Sequence, residues 1–157
     1  MKLGIVDTTF ARVDMAKYAV EEITSRFADV KIVGRTVPGI KDLPVACKNL
    51  LDECDACLAI GMPGPKPIDK QCAHEASTGL IQAQLMAGKH IVEVFVHEDE
   101  GSDEKELFSI CVDRVRKHAV NAVMLVKDPA SFSKNAGKGL RQGKKDAGPI
   151  TGGVHYG

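Results

Sequence analysis

The alternation of short apolar runs with longer amphipathic stretches is the feature that most limits the folds available to this chain. Four apolar runs, at residues 3–7, 30–33, 56–60 and 91–96, have the length and composition of buried strands. Between and after them, apolar residues recur at the spacing that is typical of amphipathic helices. Strands that alternate with helices predict a parallel sheet with helices packed on both of its faces.

The predicted helices carry their own boundary signals. We expect helices near 16–27, 43–54, 69–87 and 107–115. Asp42 is placed to cap the second helix, which has Pro44 in its first turn, and Gly88 is placed to end the third. A further apolar run, Ala122–Val126, could form a fifth strand.

Right-handed crossovers leave few topologies for such a chain. The preferred one is a three-layer α/β/α, flavodoxin-like parallel sheet of four or five strands in the order 2-1-3-4-5. With 157 residues, 44% of them hydrophobic, we expect one domain over residues 1–150 and a loose tail over 151–157.

The charge balance and the apolar segments exclude several classes of partner. Basic and acidic residues both number 21, which argues against nucleic acids or membrane surfaces as partners. The apolar stretches are too short to span a bilayer, and Asp7 interrupts the amino terminus before a signal-peptide core could form. We therefore expect a cytoplasmic protein.

The five cysteines do not form a disulfide framework, because their number is odd and no signal peptide is expected. Cys54 and Cys57 have the spacing of a redox pair. Such a pair opens a helix, where the helix dipole lowers the pKa of a thiol. Here Cys54 follows a predicted helix and Cys57 begins a predicted strand, which favours buried structural thiols.

The chemistry is expected at the carboxyl ends of the strands, where open parallel sheets bind their ligands. The loops after all four strands carry the unusual residues of the chain and are expected to converge on one crevice. Phe10, in a chain with only 4% aromatic residues, is a natural stacking surface for a flat heterocycle, unless it folds back on the core.

Other residues of these loops have both an ordinary and a functional interpretation. Pro38-Gly39 could be a simple turn, and His74 could be a surface histidine. The run His97–Glu100 is either a solvated turn or a weak site for a divalent cation such as Mg²⁺, since clustered carboxylates suit hard cations. Signatures of dinucleotide sites, phosphate loops, zinc sites and nucleophile elbows are absent, so no tightly bound cofactor is predicted.

Six segments together resemble the archaeal riboflavin synthase family, and the resemblance runs from about Leu3 to Pro149. They are DTTFARVDMA (7–16), TVPGIKDLPVACK (36–48), GMPG (61–64), CAHEAS (72–77), VFVHEDE (94–100) and AGKGLRQG (136–143). That family is similar in fold to lumazine synthase and forms homopentamers with active sites between subunits. The resemblance implies a transferase of riboflavin biosynthesis that dismutates two molecules of 6,7-dimethyl-8-ribityllumazine to riboflavin and 5-amino-6-ribitylaminouracil.

The resemblance also implies roles for individual residues. Phe10 matches a stacking phenylalanine, Asp42 replaces a glutamate that holds ribityl hydroxyls, and Lys138 matches a lysine that reaches the neighbouring subunit's site. Cys72 replaces a threonine that helps to bind a substrate phosphate in lumazine synthase. The substrate-binding residues implied in this way are Thr9, Phe10, Pro38, Gly39, Ile40, Asp42, Gly61, Met62, Pro63 and Lys138.

The implied reaction needs a proton-transfer group, because the methyl group at ring position seven must lose a proton. His74, which falls on the lumazine synthase histidine, is the first candidate and His97 the second, since histidine titrates near neutral pH. Two other functions stay open: lumazine synthase itself, and a non-catalytic flavin carrier of the flavodoxin kind. For residues 136–143, the alternative to a substrate-binding segment is a solvated terminal helix.

Overall fold

The structure, a computed structural model that describes residues 1–152, has a single parallel sheet. Its strands are β1 (Lys2–Thr8), β2 (Lys31–Val37), β3 (Ala56–Gly61) and β4 (Ile91–Phe95). They lie in the order β2-β1-β3-β4, and all neighbouring pairs are parallel. The predicted flavodoxin-like α/β fold is confirmed, with β1 and β3 side by side at the centre of the sheet.

Four helices cover the two faces of the sheet. They are α1 (Met15–Arg26), α2 (Leu43–Leu50), α3 (Pro67–Ala87) and α4 (Glu104–Lys127). One core cluster joins α1 and α4 to the sheet, and a second joins α2 and α3 to the opposite face. The three predicted layers are therefore present.

The helix boundaries follow from local chemistry, with one difference from the prediction. Gly88 adopts a left-handed conformation (φ 61°) and ends α3 as expected, because glycine has no side chain to oppose that geometry. Asp42, in contrast, lies in a short 3₁₀ turn and makes no side-chain cap on α2. Its carboxylate instead accepts a hydrogen bond from the backbone N–H of Gly39 at 3.3 Å.

The fifth strand that Ala122–Val126 could have formed is not present, because these residues form the last turns of α4. Val115, Ala119, Ala122 and Val123 are all buried, and their spacing places them on one helical face. A short apolar run at the end of a long helix looks like a strand when it is taken alone. The described chain has four strands.

Residues after α4 fold back along that helix. A 3₁₀ segment, Pro129–Asn135, is followed by irregular chain with glycine turns, so the helix considered for residues 136–143 does not form. The backbone N–H of Gly143 donates to Asp113 at 2.7 Å, and Lys117 donates to the carbonyl of Arg141 at 3.2 Å. Of the predicted tail at 151–157, only the first two residues are described, and they belong to no helix or strand.

All five cysteines are free thiols. Cys54 lies in the turn after α2, and burial raises the pKa of its thiol to about 11. A raised pKa is the opposite of what a reactive thiol needs, which supports the structural interpretation of the Cys54–Cys57 pair. Within residues 1–152, no helix combines the length and the apolar character that crossing a bilayer requires.

Candidate active site

The loops at the carboxyl ends of β1, β2 and β3 enclose a cavity of about 360 Å³, which we call the loop cavity. It lies at the switch point between β1 and β3, where parallel sheets bind ligands. Six of the ten predicted substrate-binding residues line it: Phe10, Gly39, Ile40, Asp42, Met62 and Pro63. The remaining lining residues are Thr8, Lys41, Gly64, Asp69, Cys72 and Glu98.

Phe10 presents an open aromatic surface to the loop cavity. Its side chain is 74% exposed, so it does not fold back on the core. Gly39 lies against the ring, since a methyl group at that position would be 3.6 Å from two ring carbons. An exposed aromatic ring at a cavity mouth is suited to stacking on a flat heterocycle.

Thr9 and Pro38 support the loop cavity without lining it. The backbone N–H of Thr9 donates to the carbonyl of Val37 at 2.9 Å, and this bond ties the loop after β1 to the end of β2. Pro38 follows directly and is exposed. Both residues therefore set the position of Phe10 relative to Gly39.

The polar wall of the loop cavity contains two carboxylates, Asp42 and Asp69, that form no ion pair among the described residues and can accept hydrogen bonds from hydroxyl groups. Asp42 forms no ion pair within residues 1–152, while Lys41 beside it pairs with Glu75 at 2.6 Å. The Lys41–Glu75 contact lowers the pKa of the Glu75 carboxyl and raises the pKa of Lys41. Asp42 can therefore accept hydrogen bonds from the hydroxyl groups of a polyol chain.

Gly61 lies below the loop cavity rather than on its surface. A methyl group at this position would be 2.6 Å from Ile40 Cγ2 and 2.9 Å from Phe95 Cε1, so only glycine fits between them. Its carbonyl accepts a hydrogen bond from the backbone N–H of Val96 at 3.2 Å. Gly61 therefore holds side chains in place instead of contacting a ligand.

A second cavity, of about 570 Å³, lies between helix α3 and the edge strand β4, and we call it the edge cavity. Both predicted proton-transfer residues line it, His74 from α3 and His97 from the loop after β4. The other lining residues are Lys70, Ala73, Ser77, Glu93, Phe95, Asp99 and Glu100. Helical spacing brings the α3 residues to one wall, and the alternation of a strand brings Glu93 and Phe95 to the other.

The titratable groups of the edge cavity differ in their surroundings. His74 is exposed, whereas Nδ1 of His97 is buried and has no hydrogen-bond partner within residues 1–152. The backbone N–H of His97 donates to Glu100 at 2.9 Å. Burial raises the pKa of Glu93, an effect that the Ser77 hydroxyl partly offsets.

In place of the single crevice expected from the sequence, the structure has two neighbouring cavities. The first turns of α3 separate them: Asp69 and Cys72 face the loop cavity, while Lys70 and His74 face the edge cavity. The loop after β4 is divided in the same way, with Glu98 on one side and His97 on the other. Neighbouring residues on α3, and on the loop after β4, therefore point into different cavities.

The carboxylates of the run His97–Glu100 are held apart by three different cations. Glu98 pairs with Arg12 at 3.3 Å, Asp99 with Lys70 and Glu100 with Arg114. Among the described residues, no three metal-ligating side chains come together. Each carboxylate of the run is therefore paired with a cationic side chain of the protein itself.

Lys138 lines neither cavity of its own chain. It is exposed, and its ammonium group contacts the Asn135 side chain at 3.1 Å. The segment that carries it lies along α4, on the sheet face opposite to α3. The structure therefore does not bring Lys138 together with the other predicted substrate-binding residues.

Sequence reasoning missed Glu93 as a site residue. A signal was present, because a carboxylate stands in the middle of an otherwise apolar strand, two positions before Phe95 and four before His97. Residues at that spacing share one face of a strand. Lys41, adjacent to Asp42, was missed in the same way within the loop cavity.

Comparison with known proteins agrees with this geometry. The family model described as 6,7-dimethyl-8-ribityllumazine synthase matches residues 1–130. A protein named riboflavin synthase from Methanothermobacter thermautotrophicus is 57% identical over 96% of this chain and 99% of its own length. Proteins of the same name from Methanothermobacter marburgensis and Aeropyrum pernix are 55% and 47% identical, over 96% and 94% of this chain and 99% and 97% of their own lengths.

These matches cover both cavities and all four strands, so the resemblance inferred from the motifs is confirmed. The chain belongs to the lumazine synthase-like family and, within it, to the archaeal-type riboflavin synthases.

Proposed function

We propose that this protein is a riboflavin synthase that converts two molecules of 6,7-dimethyl-8-ribityllumazine into riboflavin and 5-amino-6-ribitylaminouracil. The observation that carries the proposal is the loop cavity, in which the open ring of Phe10 and the unpaired Asp42 share one chamber. A heteroaromatic ring with a polyol side chain needs these two groups. Relatives of that name, matched over nearly the whole chain, support the same function.

The two cavities supply different parts of the proposed reaction. Phe10 stacks on a lumazine ring, and Asp42 with the Gly39 backbone holds the ribityl hydroxyls. His74 or His97 takes a proton from the methyl group at ring position seven, whose carbanion is stabilised by the electron-poor ring. Holding two substrates in the reacting orientation supplies much of the acceleration, since effective molarities can reach roughly 10⁵ M or more.

Cys72 favours this reaction over lumazine synthesis. It lines the loop cavity at the position where a hydroxyl would help to bind a substrate phosphate in lumazine synthase. A thiol is a weak hydrogen-bond donor and a poor phosphate ligand. The substrate of a riboflavin synthase carries no phosphate, so the loss of the hydroxyl is tolerated there.

The function is tested by supplying purified protein with dimethyl-ribityllumazine alone. We expect riboflavin to appear at half the rate at which the lumazine is lost, without added cofactor. A requirement for a phosphorylated four-carbon compound would assign the protein to lumazine synthesis. A yellow protein with one bound FMN per chain and no turnover would identify a flavin carrier.

We further propose that the active enzyme is a homopentamer with each site shared between neighbouring subunits. At about 360 Å³ the loop cavity is near the lower end of the range for ligand sites, which span roughly 300–1,000 Å³, so it is small for two lumazines. Five large apolar side chains on α2 and α3 are exposed: Val45, Ile68, Ile81, Leu85 and Met86. Exposed apolar patches of this kind are typical of subunit contacts.

Lys138 is then the residue that a neighbouring subunit contributes. Its position outside both cavities of its own chain is compatible with this role, and a cyclic assembly repeats the contact at every interface. The test mixes His74→Ala and Lys138→Ala subunits by joint unfolding and refolding. Shared sites require activity well above either parent, whereas activity at the average of the parents, or light scattering from a monomer, rejects the model.

The enzyme is also proposed to need no tightly bound cofactor and to act in the cytoplasm. The pairing of Glu98, Asp99 and Glu100 with Arg12, Lys70 and Arg114 supports the first point, because it leaves few oxygen ligands for a cation. The free and mostly buried thiols support the second, because they suit a reducing compartment.

A further inference from the structure

The strand β4 presents two titratable groups to the same cavity. Ile91 and Phe95 pack in the core formed with α2 and α3, while Val94 and Val96 pack in the core formed with α1 and α4. Because side chains alternate along a strand, Glu93 lies on the same face as Phe95. Glu93 and His97 therefore both line the edge cavity, on the side that faces α3.

Glu93 is the one carboxylate lining the edge cavity that forms no ion pair within the described chain. Asp99 is held by Lys70 and Glu100 by Arg114, whose side chain is only 13% exposed. A half-buried carboxylate without an ion-pair partner is costly in its charged form. Burial therefore raises the pKa of the Glu93 carboxyl, although the Ser77 hydroxyl and His97 act in the opposite direction.

His97 presents the complementary group. Its Nδ1 atom is buried and lacks a partner in residues 1–152, whereas its backbone N–H is fixed by Glu100. Because Nδ1 has no exposed surface, His97 can meet a group in the edge cavity only through its other ring nitrogen, Nε2. The Glu93 carboxyl and the His97 imidazole thus line one cavity of about 570 Å³.

We propose that Glu93 is the acid partner of His97 in the edge cavity, so that the two residues exchange protons with a lumazine ring held between them. This rests on the proposed riboflavin synthase function. Neutral His97 accepts a proton from the position-seven methyl group, and the electron pair of the broken C–H bond enters the ring. The Glu93 carboxyl gives its proton to a ring heteroatom, so the step leaves an imidazolium and a carboxylate and the total charge is unchanged.

The other charged groups around the edge cavity leave this assignment intact. Lys70 lowers the pKa of Asp99, which therefore stays ionised. Burial acts to raise the pKa of Glu100, but hydrogen bonds from Arg114 and from the His97 backbone outweigh it and lower that pKa. His74, from α3, is the other histidine that lines the cavity. Glu93 is the carboxyl that burial shifts towards the protonated form.

The substitution Glu93→Gln tests the catalytic role, because glutamine keeps the shape and loses the acid. We expect kcat to fall about 10²-fold with a much smaller change in KM, which is the usual contribution of a general acid. Because burial raises the pKa of Glu93, kcat of the native enzyme should decline as rising pH removes the Glu93 proton, and this decline should be absent from the variant. Glu93→Asp should restore part of the rate.

The matched control is Glu53→Gln, which removes a surface carboxylate that pairs with Lys2. It should leave kcat and its pH dependence unchanged. A Glu93→Gln enzyme with kcat within about twofold of native, a span too small for lost acid catalysis, overturns the proposal. So does a reduced rate that keeps the native alkaline decline.

A second measurement needs no turnover and separates this proposal from the function itself. Because the folded-state pKa of Glu93 is raised, its contribution to stability is fully present below the unfolded pKa and is lost as pH rises through the folded value. The melting temperature of Glu93→Gln minus that of the native protein should therefore be larger at about pH 8 than at about pH 4.5. The lower pH lies near the unfolded pKa of about 4.3. A difference that is smaller at pH 8 than at pH 4.5 would show that the fold stabilises the Glu93 carboxylate, and it would overturn the acid role. A native enzyme that makes no riboflavin would refute only the proposed function.

Discussion

The loop cavity and the edge cavity lie side by side but are built in opposite ways. The loop cavity is made of turn residues and an exposed aromatic ring, and its charged Lys41 already has a partner in Glu75. The edge cavity is made of one helix and one edge strand, and it contains a half-buried acid and an unpartnered imidazole nitrogen. Open aromatic surface serves recognition, and desolvated titratable groups serve proton transfer.

Because recognition and proton transfer lie in different cavities, binding and chemistry can be altered separately in this protein. Substitutions in the loop cavity should act mainly on KM, while substitutions in the edge cavity should act mainly on kcat. Gly61 links the two regions, because it lies between Ile40 of one cavity and Phe95 of the other.

The largest effect is expected at His74 in the edge cavity. His74→Ala should lower kcat about 10²-fold, the low end of general acid–base contributions, and should change the affinity for a non-reacting lumazine analogue much less. His90→Ala, which removes another exposed histidine that lines neither cavity, is the control. Steady-state kinetics and analogue titration make the measurement. Full activity in His74→Ala would leave proton transfer to His97 and Glu93.

Phe10→Ala should weaken substrate binding about tenfold, which corresponds to a stacking contribution of about 1.4 kcal/mol. Because the ring is 74% exposed, the melting temperature should hardly change. Phe108→Ala is the opposite case, since Phe108 packs edge-on against Tyr18 at 5.9 Å and lies outside the loop cavity. It should lower stability and leave KM unaltered. An unchanged KM in Phe10→Ala would remove the stacking role from the loop cavity.

Gly61→Ala should affect both cavities together, because the added methyl group has no room beside Ile40 and Phe95. Overpacking of this kind costs about 1–3 kcal/mol, and each kcal/mol lowers Tm by about 2–4 °C in a chain of this size. Gly34→Ala, in strand β2, is the matched control, since nothing lies within 4 Å of the added methyl group. Calorimetry should find Gly34→Ala close to native. Equal losses in the two variants would contradict the linking role of Gly61.

The smallest effect is expected from removing divalent cations. Treatment with EDTA should change the rate by less than about twofold, because the carboxylates that could bind a cation are held by Arg12, Lys70 and Arg114. Activity assayed before and after treatment, with Mg²⁺ restored, is the measurement. Loss of most activity on chelation, reversed by Mg²⁺, would show that these ion pairs rearrange in the working enzyme.

The sequence predicted the loop cavity better than the edge cavity, for physical reasons. Turn residues such as Pro38 and Gly39 indicate their local conformation directly, so the sequence predicted that the residues around Phe10 and Asp42 form a binding site. Glu93 was missed because its importance depends on which helix covers β4, and this is a long-range property. The division of one expected crevice into two has the same origin, since it depends on how α3 is rotated about its axis.

The fold shows a similar contrast. Four strands and their order follow from alternation and crossover handedness, whereas the structure of Ala122–Val126 stayed open because a short apolar run fits both a strand and a helix. Residues 136–143 fold along α4 through contacts such as Gly143 with Asp113, which no local pattern predicts.

The most direct test of the division between the cavities is hydrogen exchange at the position-seven methyl group of dimethyl-ribityllumazine. The enzyme would be incubated with the lumazine in D₂O, and loss of the methyl proton signal would be followed by NMR after subtraction of the enzyme-free rate. At saturating substrate, Phe10→Ala should exchange the methyl protons at nearly the native rate, while His97→Ala and Glu93→Gln should be slowed by about 10²-fold. The opposite pattern, with exchange lost in Phe10→Ala and kept in both edge-cavity variants, would contradict the account.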